Sequence, residues 1–214
     1  QVAQQYNVDR TRVYVAGMSS GAAMATALGA DYPDVFAAVA AHSGTEYQPC
    51  VTDNVMECYV DLTTKNASQD PTASGKAAWA QGASFLQRIV PEIIFHGDYD
   101  TVVAPYNLTY ATKSISVMYD GVATNGAFLG AITNVPQSQR WSYQPGGYDY
   151  WDYTAANGNL EWYYIHGMNH AWSGGVKESA SNASDGNNYN DPLGPPATQI
   201  FRQFLFAHQN FYIY

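Results

Sequence analysis

The chain is poor in cysteine and in positive charge: of 214 residues, two are Cys and 9 are Lys or Arg, against 18 Asp or Glu, for a formal net charge of −9. That shortage of cations, with no Lys/Arg cluster and no basic stripe interleaved with aromatics, excludes a phosphate-tracking surface, so no nucleic-acid partner is expected. Long apolar runs are also missing. None approaches the roughly 20 residues that cross a bilayer, and no charged start leads into an apolar signal core, so no membrane partner is expected. No His/Cys/carboxylate grouping has ligand spacing, which leaves no metal or other cofactor to expect. Internal repeats and low-complexity linkers are lacking too, and residues 1–214 read as a single domain. What is present is a 46% hydrophobic composition spread along the length, enough for a sizeable core.

The two cysteines, Cys50 and Cys58, lie close together in a polar stretch that reads as a loop. A short disulfide staple suits that setting better than a pair of buried thiols. Three sequons, at Asn66, Asn107 and Asn182, are candidate N-glycan acceptors, although so short a pattern also arises by chance. Low Lys and abundant Asn, Ser, Thr and Tyr fit the same oxidising, secretory setting, and secretion is the expected localisation. The opening Gln1-Val2-Ala3-Gln4-Gln5-Tyr6 reads as the last turns of a helix without an initiator Met, so sequence upstream of it is expected.

Along the chain, Arg12 to Ala16 reads as a buried strand, and Ser20 to Tyr32 as a small-residue helix stopped by Pro33. Phe36 to Ala41 is a second strand. His42 to Ser74 reads as an elaborated loop, Gly75 to Val90 as a helix and Pro91 to Gly97 as a third strand. Asn107 to Asp120 is a further helix candidate. Gly121 to Gly158, rich in Gly, Asn and Tyr, reads as irregular structure with short strands that could include a hairpin. Leu160 to Ile165 is a fourth strand and Ala197 to His208 a closing helix. Strands alternating with helices predict an α/β fold, a parallel sheet flanked by helices.

Gly17-Met18-Ser19-Ser20-Gly21 matches Gly-x-Ser-x-Gly and sits between a strand and a small-residue helix, the context of the nucleophile elbow of α/β-hydrolase sheets. A sharp turn there lifts the serine out, and bulky neighbours would collide. The helix amino end sets partial positive charge beside Ser19, and the Ser20 N–H is placed to be half of an oxyanion hole. The competing reading is a glycine-rich turn needed only for packing.

A serine hydroxyl needs a histidine to take its proton and a carboxylate to orient that histidine, in the chain order Ser, acid, His on this fold. His96-Gly97-Asp98-Tyr99-Asp100 follows the third strand, so Asp98 and Asp100 both qualify as the acid, with Asp98 also suited to a turn role. His170 lies in Gly167-Met168-Asn169-His170-Ala171-Trp172, a loop after the last strand, where a general base belongs. His42, placed in the loop after the second strand, and His96, His166 and His208 are expected to be structural. Trp172, with Trp151 and Tyr148, is a candidate apolar platform for a substrate; packing is the competing role.

Taken with Tyr32-Pro33-Asp34-Val35-Phe36-Ala37-Ala38, His96-Gly97-Asp98-Tyr99-Asp100-Thr101-Val102-Val103, His170-Ala171-Trp172-Ser173-Gly174-Gly175 and Asp191-Pro192-Leu193-Gly194-Pro195-Pro196, the elbow segment from Asp9 resembles esterases of the polyhydroxybutyrate-depolymerase family, relatives of feruloyl and acetylxylan esterases. The resemblance implies a secreted serine esterase acting through an acyl-enzyme on Ser19, with His170 as base and Asp100 as acid. The substrate it implies is a polymeric or plant cell-wall ester. It also implies a close cysteine pair in the loop of Cys50 and Cys58. The family's amino-terminal strands and its Leu-His-Gly segment, which supplies the second oxyanion donor, have no counterpart here. The sheet is therefore expected to lack its amino-terminal strands and to be completed by a missing segment or a second chain. The rival reading is a non-catalytic structural or assembly subunit that retains the fold.

Overall fold

Runs of small and branched apolar residues build the centre of a sheet in this computed structural model, which describes residues 5–50, 60, 62–64, 70–82, 88–132, 136–175 and 189–211. Strands β2 (Ala38–His42) and β3 (Glu92–Gly97) are buried at every position, as parallel strands covered on both faces must be. They pair with each other and with β1 (Tyr14–Met18) and β6 (Leu160–Ile165), all in parallel. Beyond β6 lie β5 (Tyr150–Ala155) and β4 (Ser138–Ser142), each antiparallel to its neighbour, giving the order β1-β2-β3-β6-β5-β4. The sheet is mixed rather than wholly parallel. The connection from Ser142 to Tyr150 is too short for a parallel crossover, and the stretch read as irregular with short strands does include the hairpin allowed for it.

Helix α1 (Ser20–Asp31), α2 (Pro71–Gly82) and α3 (Tyr106–Ala123) cover one face, where Ala22, Ala30, Ala78, Ile115 and Tyr119 cluster with Ala41, Ile94 and Trp162. On the other face α4 (Ala197–Ala207) sets Ala197, Phe201 and Phe204 against Ala38, Ala40, Ile93, Phe95 and Tyr163. Successive residues of β2 and β3 thus divide between two cores, as the strand period of two requires. Helix α2 starts earlier than its hydrophobic spacing predicts. Asp70 accepts from Thr72 N at 2.9 Å with Pro71 at the first helical position, a start signal in its own right.

Strand β1 departs from the buried strand expected of it. It forms one edge of the sheet, half exposed along its length with Ala16 exposed, and among the described residues no strand pairs with its outer side. The expectation of a glycan on Asn107 is also corrected: the side chain is fully buried, and its Nδ2 donates to Leu62 O at 3.1 Å and Ala104 O at 2.8 Å. The nitrogen a glycan would need is committed to the start of α3. Asn66, Asn182 and Cys58 lie outside the described residues; Cys50 is not a free thiol.

Candidate active site

The elbow begins where β1 ends. Ser19 has φ of 57° and ψ of −123°, a conformation non-glycine residues rarely hold. Its N–H donates to His42 O at 2.9 Å, and its carbonyl accepts from Ala22 N and Ala23 N, which opens α1. The Ser19 side chain makes no capping bond, so Oγ is not spent on the helix. Ser20 is the first residue of α1, and its N–H has no carbonyl one turn earlier to bond. The two motif glycines are unequal. A Cβ on Gly17 would collide with the Gly21 carbonyl, whereas one on Gly21 would meet nothing. Close approach of the chain requires glycine at the first position only.

The candidate acid and base sit on two loops that leave the carboxyl ends of β3 and β6 and are tied together residue by residue. Asp98 N donates to Ile165 O at 3.0 Å and Tyr99 N to Met168 O at 3.1 Å; a Cβ on Gly97 would strike the Met168 carbonyl. Asp98 Oδ2 pairs with His166 Nδ1 at 2.8 Å, and its Oδ1 accepts from Gly167 N at 2.7 Å. Asp98 is therefore spent on His166. Asp100 Oδ2 accepts from His170 Nδ1 at 2.7 Å, and its Oδ1 accepts from Val102 N and Val103 N. The acid left open between the two aspartates is thus the one that meets His170. Asn169, which no motif singles out, joins both loops: its Oδ1 accepts from His170 N at 2.8 Å and from Thr101 N at 3.1 Å.

Asp100 is 3% exposed, and burial alone would raise its carboxyl. The bond from His170, the nearby His96 ring and the Val103 N–H outweigh that and hold it below its ordinary value. An ionised Asp100 keeps the proton on His170 Nδ1 and leaves Nε2 as the proton acceptor. Among the described residues no hydrogen bond closes from Ser19 Oγ to His170, and catalytic bonds of this kind commonly tighten only with substrate.

Ser19 and the His170 loop are brought together by His42. It is the last residue of β2 rather than part of the loop after it, and it is fully buried. Its carbonyl takes Ser19 N, and its Nε2 takes Ser173 N at 3.1 Å. Burial, then the nearby His96 and His170 rings, lower it to about 3, so the ring is neutral, with Nδ1 left to donate to Ser43 Oγ at 3.1 Å. His96 is likewise pushed down by burial against the pull of Asp100, and its Nε2 donates to Val103 O at 2.9 Å. His208 donates to Phe204 O. Each of the four spare histidines has a structural partner.

Trp172 is held by protein on several sides. Its ring stacks on His42 at 5.3 Å, meets Phe201 edge-on at 5.5 Å, and Nε1 donates to Thr198 Oγ1. Those contacts favour packing among the two roles weighed for it. Trp151 meets Trp141 at 5.1 Å on the hairpin, and Tyr148 packs against the α4 core. Strands β7 (Trp172–Ser173) and β8 (Asn190–Asp191) pair in parallel and brace the loop from outside.

The family model described as Esterase PHB depolymerase matches residues 1–133. Poly(3-hydroxyalkanoate) depolymerase C of Paucimonas lemoignei is 33% identical over 168 residues, covering 77% of this chain and 36% of that protein. Poly(3-hydroxybutyrate) depolymerase of Ralstonia pickettii is 30% identical over 197 residues, covering 88% of this chain and 35% of that protein. The chain thus spans about a third of the length of these curated relatives. The solved acetyl xylan esterase from Aspergillus awamori superposes with a TM-score of 0.59 at 22% identity, over 78% of this chain and 57% of that one, and shows the same fold.

Proposed function

The chain belongs to the esterase PHB depolymerase family, and on that premise we propose that it carries the catalytic residues of a secreted serine esterase hydrolysing carboxylic esters. The observation that supports this best is the buried Asp100–His170 pair, 2.7 Å apart, at the sheet edge where Ser19 is held in the elbow conformation. In the proposed reaction Ser19 Oγ attacks the ester carbonyl while its proton passes to His170 Nε2. The oxyanion lies against Ser20 N–H, and Asp100 stabilises the imidazolium. The alcohol leaves with the proton from His170. A water, deprotonated in turn by His170, then releases the acid and restores Ser19.

Polyhydroxybutyrate-type and acetyl-xylan esters are proposed as substrate classes from the relatives' names, and feruloyl esters from the resemblance read in the sequence. Secretion is supported by the acidic composition, the absence of a free thiol at Cys50 and the sequons at Asn66 and Asn182. The half-exposed edge of β1 is proposed to take a further strand, from upstream sequence or a second chain, that also brings the second oxyanion donor. A serine-directed phosphonate on the full-length protein tests the central claim. Labelling at Ser19, lost together with ester turnover in Ser19→Ala, is the expected result; turnover that survives Ser19→Ala sinks it.

A further inference from the structure

His96 is a fully buried imidazole beside the candidate acid that the proposed reaction leaves unused. It precedes Gly97 at the end of β3 and, by the strand period of two, shares a face with Ile94, on the side covered by α1, α2 and α3. His42 ends the neighbouring strand and shares the opposite face with Ala40, toward α4. The two rings thus approach the site from opposite sides of the sheet. His42 holds the Ser19 backbone and the base loop, whereas His96 faces the acid.

The His96 Nε2 lies 2.9 Å from Val103 O and 3.5 Å from Asp100 Oδ2. A carbonyl can only accept, so Nε2 carries the ring's proton. Burial keeps the ring neutral against the pull of Asp100, which leaves Nδ1 as a bare lone pair, and that atom finds no donor among the described residues. A buried orphan of this kind lowers stability. What comes with it is the N–H on the other side of the ring, and that N–H closes a cycle around the acid. Val103 O accepts from His96, Val103 N donates to Asp100 Oδ1 at 2.8 Å, and the His96 N–H also faces Asp100 Oδ2, the oxygen that His170 Nδ1 meets at 2.7 Å. Oδ1 is thereby held by two backbone N–H groups and Oδ2 lies between two imidazoles. At 3.5 Å the His96 contact is too long for a strong hydrogen bond; it acts as an oriented dipole with its positive end toward the carboxylate.

We propose that His96 is a positioning residue for ester hydrolysis at Ser19: through the Val103 peptide and its own N–H it fixes the direction and the charge of the Asp100 carboxylate toward His170. This role rests on Ser19, His170 and Asp100 acting together as nucleophile, base and acid. The titratable groups facing His96 among the described residues are Asp100 and His170 on the two loops and His42 on β2.

Full-length His96→Gln and His96→Asn separate the two ring nitrogens, because the Gln amide reaches the place of Nε2 and the Asn amide only that of Nδ1. With p-nitrophenyl acetate, His96→Asn and His96→Phe lower kcat about thirtyfold at little changed KM, while His96→Gln stays within about threefold of the parent. Without the N–H, Oδ2 turns its whole charge on the His170 proton. The acid limb of kcat/KM then moves up by about half a pH unit in His96→Asn and His96→Phe, and stays in place in His96→Gln. Equal kcat in His96→Asn and the parent, equal loss in His96→Gln and His96→Asn, or an unmoved limb overturns the proposal. So does a loss explained by a smaller extent of phosphonate labelling at Ser19, which reports a damaged fold. If His96→Phe fails to fold, the two amide variants carry the comparison. Failure of the underlying assignment looks different: the parent is not labelled at Ser19, or its turnover survives Ser19→Ala, and the role of His96 falls with it.

Discussion

The two ends of the sheet bury titratable side chains in different company. At the carboxyl end, β2 and β3 finish in His42 and His96, both fully buried, and the Asp100–His170 pair lies just beyond them. There each acid meets a base, so Asp100 stays charged inside the protein and a proton has somewhere to go. At the amino end the same strand β3 begins with Glu92, 2% exposed, whose Oε1 accepts from the neutral Thr26 hydroxyl at 2.6 Å. Burial raises Glu92 to about 7, and Tyr119 beside it donates to Val90 O. One strand therefore carries a paired, ionised site at one end and, at the other, a carboxyl that burial pushes toward its neutral form. Partners, more than depth, decide which form a buried acid keeps.

The largest test of that contrast removes the charge from the paired acid. Asp100→Asn keeps the shape but favours the wrong His170 tautomer, and kcat is expected to fall on the order of 10³- to 10⁴-fold, the size seen for the same change in the serine-protease triad. Because the folded Asp100 sits below its ordinary value of 3.8, its contribution to stability is full above that value and is lost as pH falls through the depressed one. Next comes His42→Ala, which orphans Ser173 N–H and empties the space under Trp172. A loss of about 3 kcal/mol in denaturant unfolding is expected, with turnover down about a hundredfold as the His170 loop loosens. His42 is lowered from 6.5 to about 3, so its contribution is present above 6.5 and is lost as pH falls toward 3. That acid limb should flatten in the variant.

How much of this was legible in the sequence follows from how local each feature is. Ser19 and its helix are written in adjacent residues, because a strand, a glycine that must pass close to Gly21 and a run of small side chains are all consecutive. His170 was legible through chain order. The choice between Asp98 and Asp100 was not settled by spacing, since it depends on the register in which two loops zip, with 98 facing 166 and 100 facing 170. Asn169 left no mark because its work is done across that same register. The sequon at Asn107 covers three residues and is blind to the carbonyls of Leu62 and Ala104, which claim the side chain. Glu92, beside Pro91, reads as an ordinary strand start; its burial comes from α1, which brings Thr26 over it. The exposure of β1 depends on what lies outside it, which the residues of the strand do not encode.

At the amino end, Glu92→Gln tests whether an unpaired buried acid is tolerated only by staying neutral. The folded carboxyl titrates near 7 against an ordinary 4.5, so its favourable contribution is full below 4.5 and is lost as pH rises through 7. Glu92→Gln should match the parent near pH 4 and exceed it by about 3 kcal/mol at pH 8, with turnover at Ser19 unaffected. Unfolding curves at the two pH values measure this. An equal difference at both would mean that the folded carboxyl titrates near its ordinary 4.5 and that burial does not hold it neutral.

The smallest effect is expected at the second aspartate of the carboxyl end, where the comparison is most exposed to failure. Asp98 and His166 repeat the chemistry of Asp100 and His170 on the same two loops, but with side chains 19% and 35% exposed against 0% and 6%. Water screens the outer pair, so its carboxylate–imidazole hydrogen bond contributes less than the inner one. What Asp98 does that no solvent can is hold Gly167 N–H and so fix where the base loop begins. Asp98→Asn keeps an oxygen for Gly167 and loses only the charge toward His166, so a fall in kcat of about fivefold, near 1 kcal/mol, is expected. Steady-state kinetics beside Asp100→Asn make the measurement. If Asp98→Asn lost as much as Asp100→Asn, the outer pair would be the one that serves the serine, and burial would have been the wrong guide to which aspartate–histidine pair does chemistry.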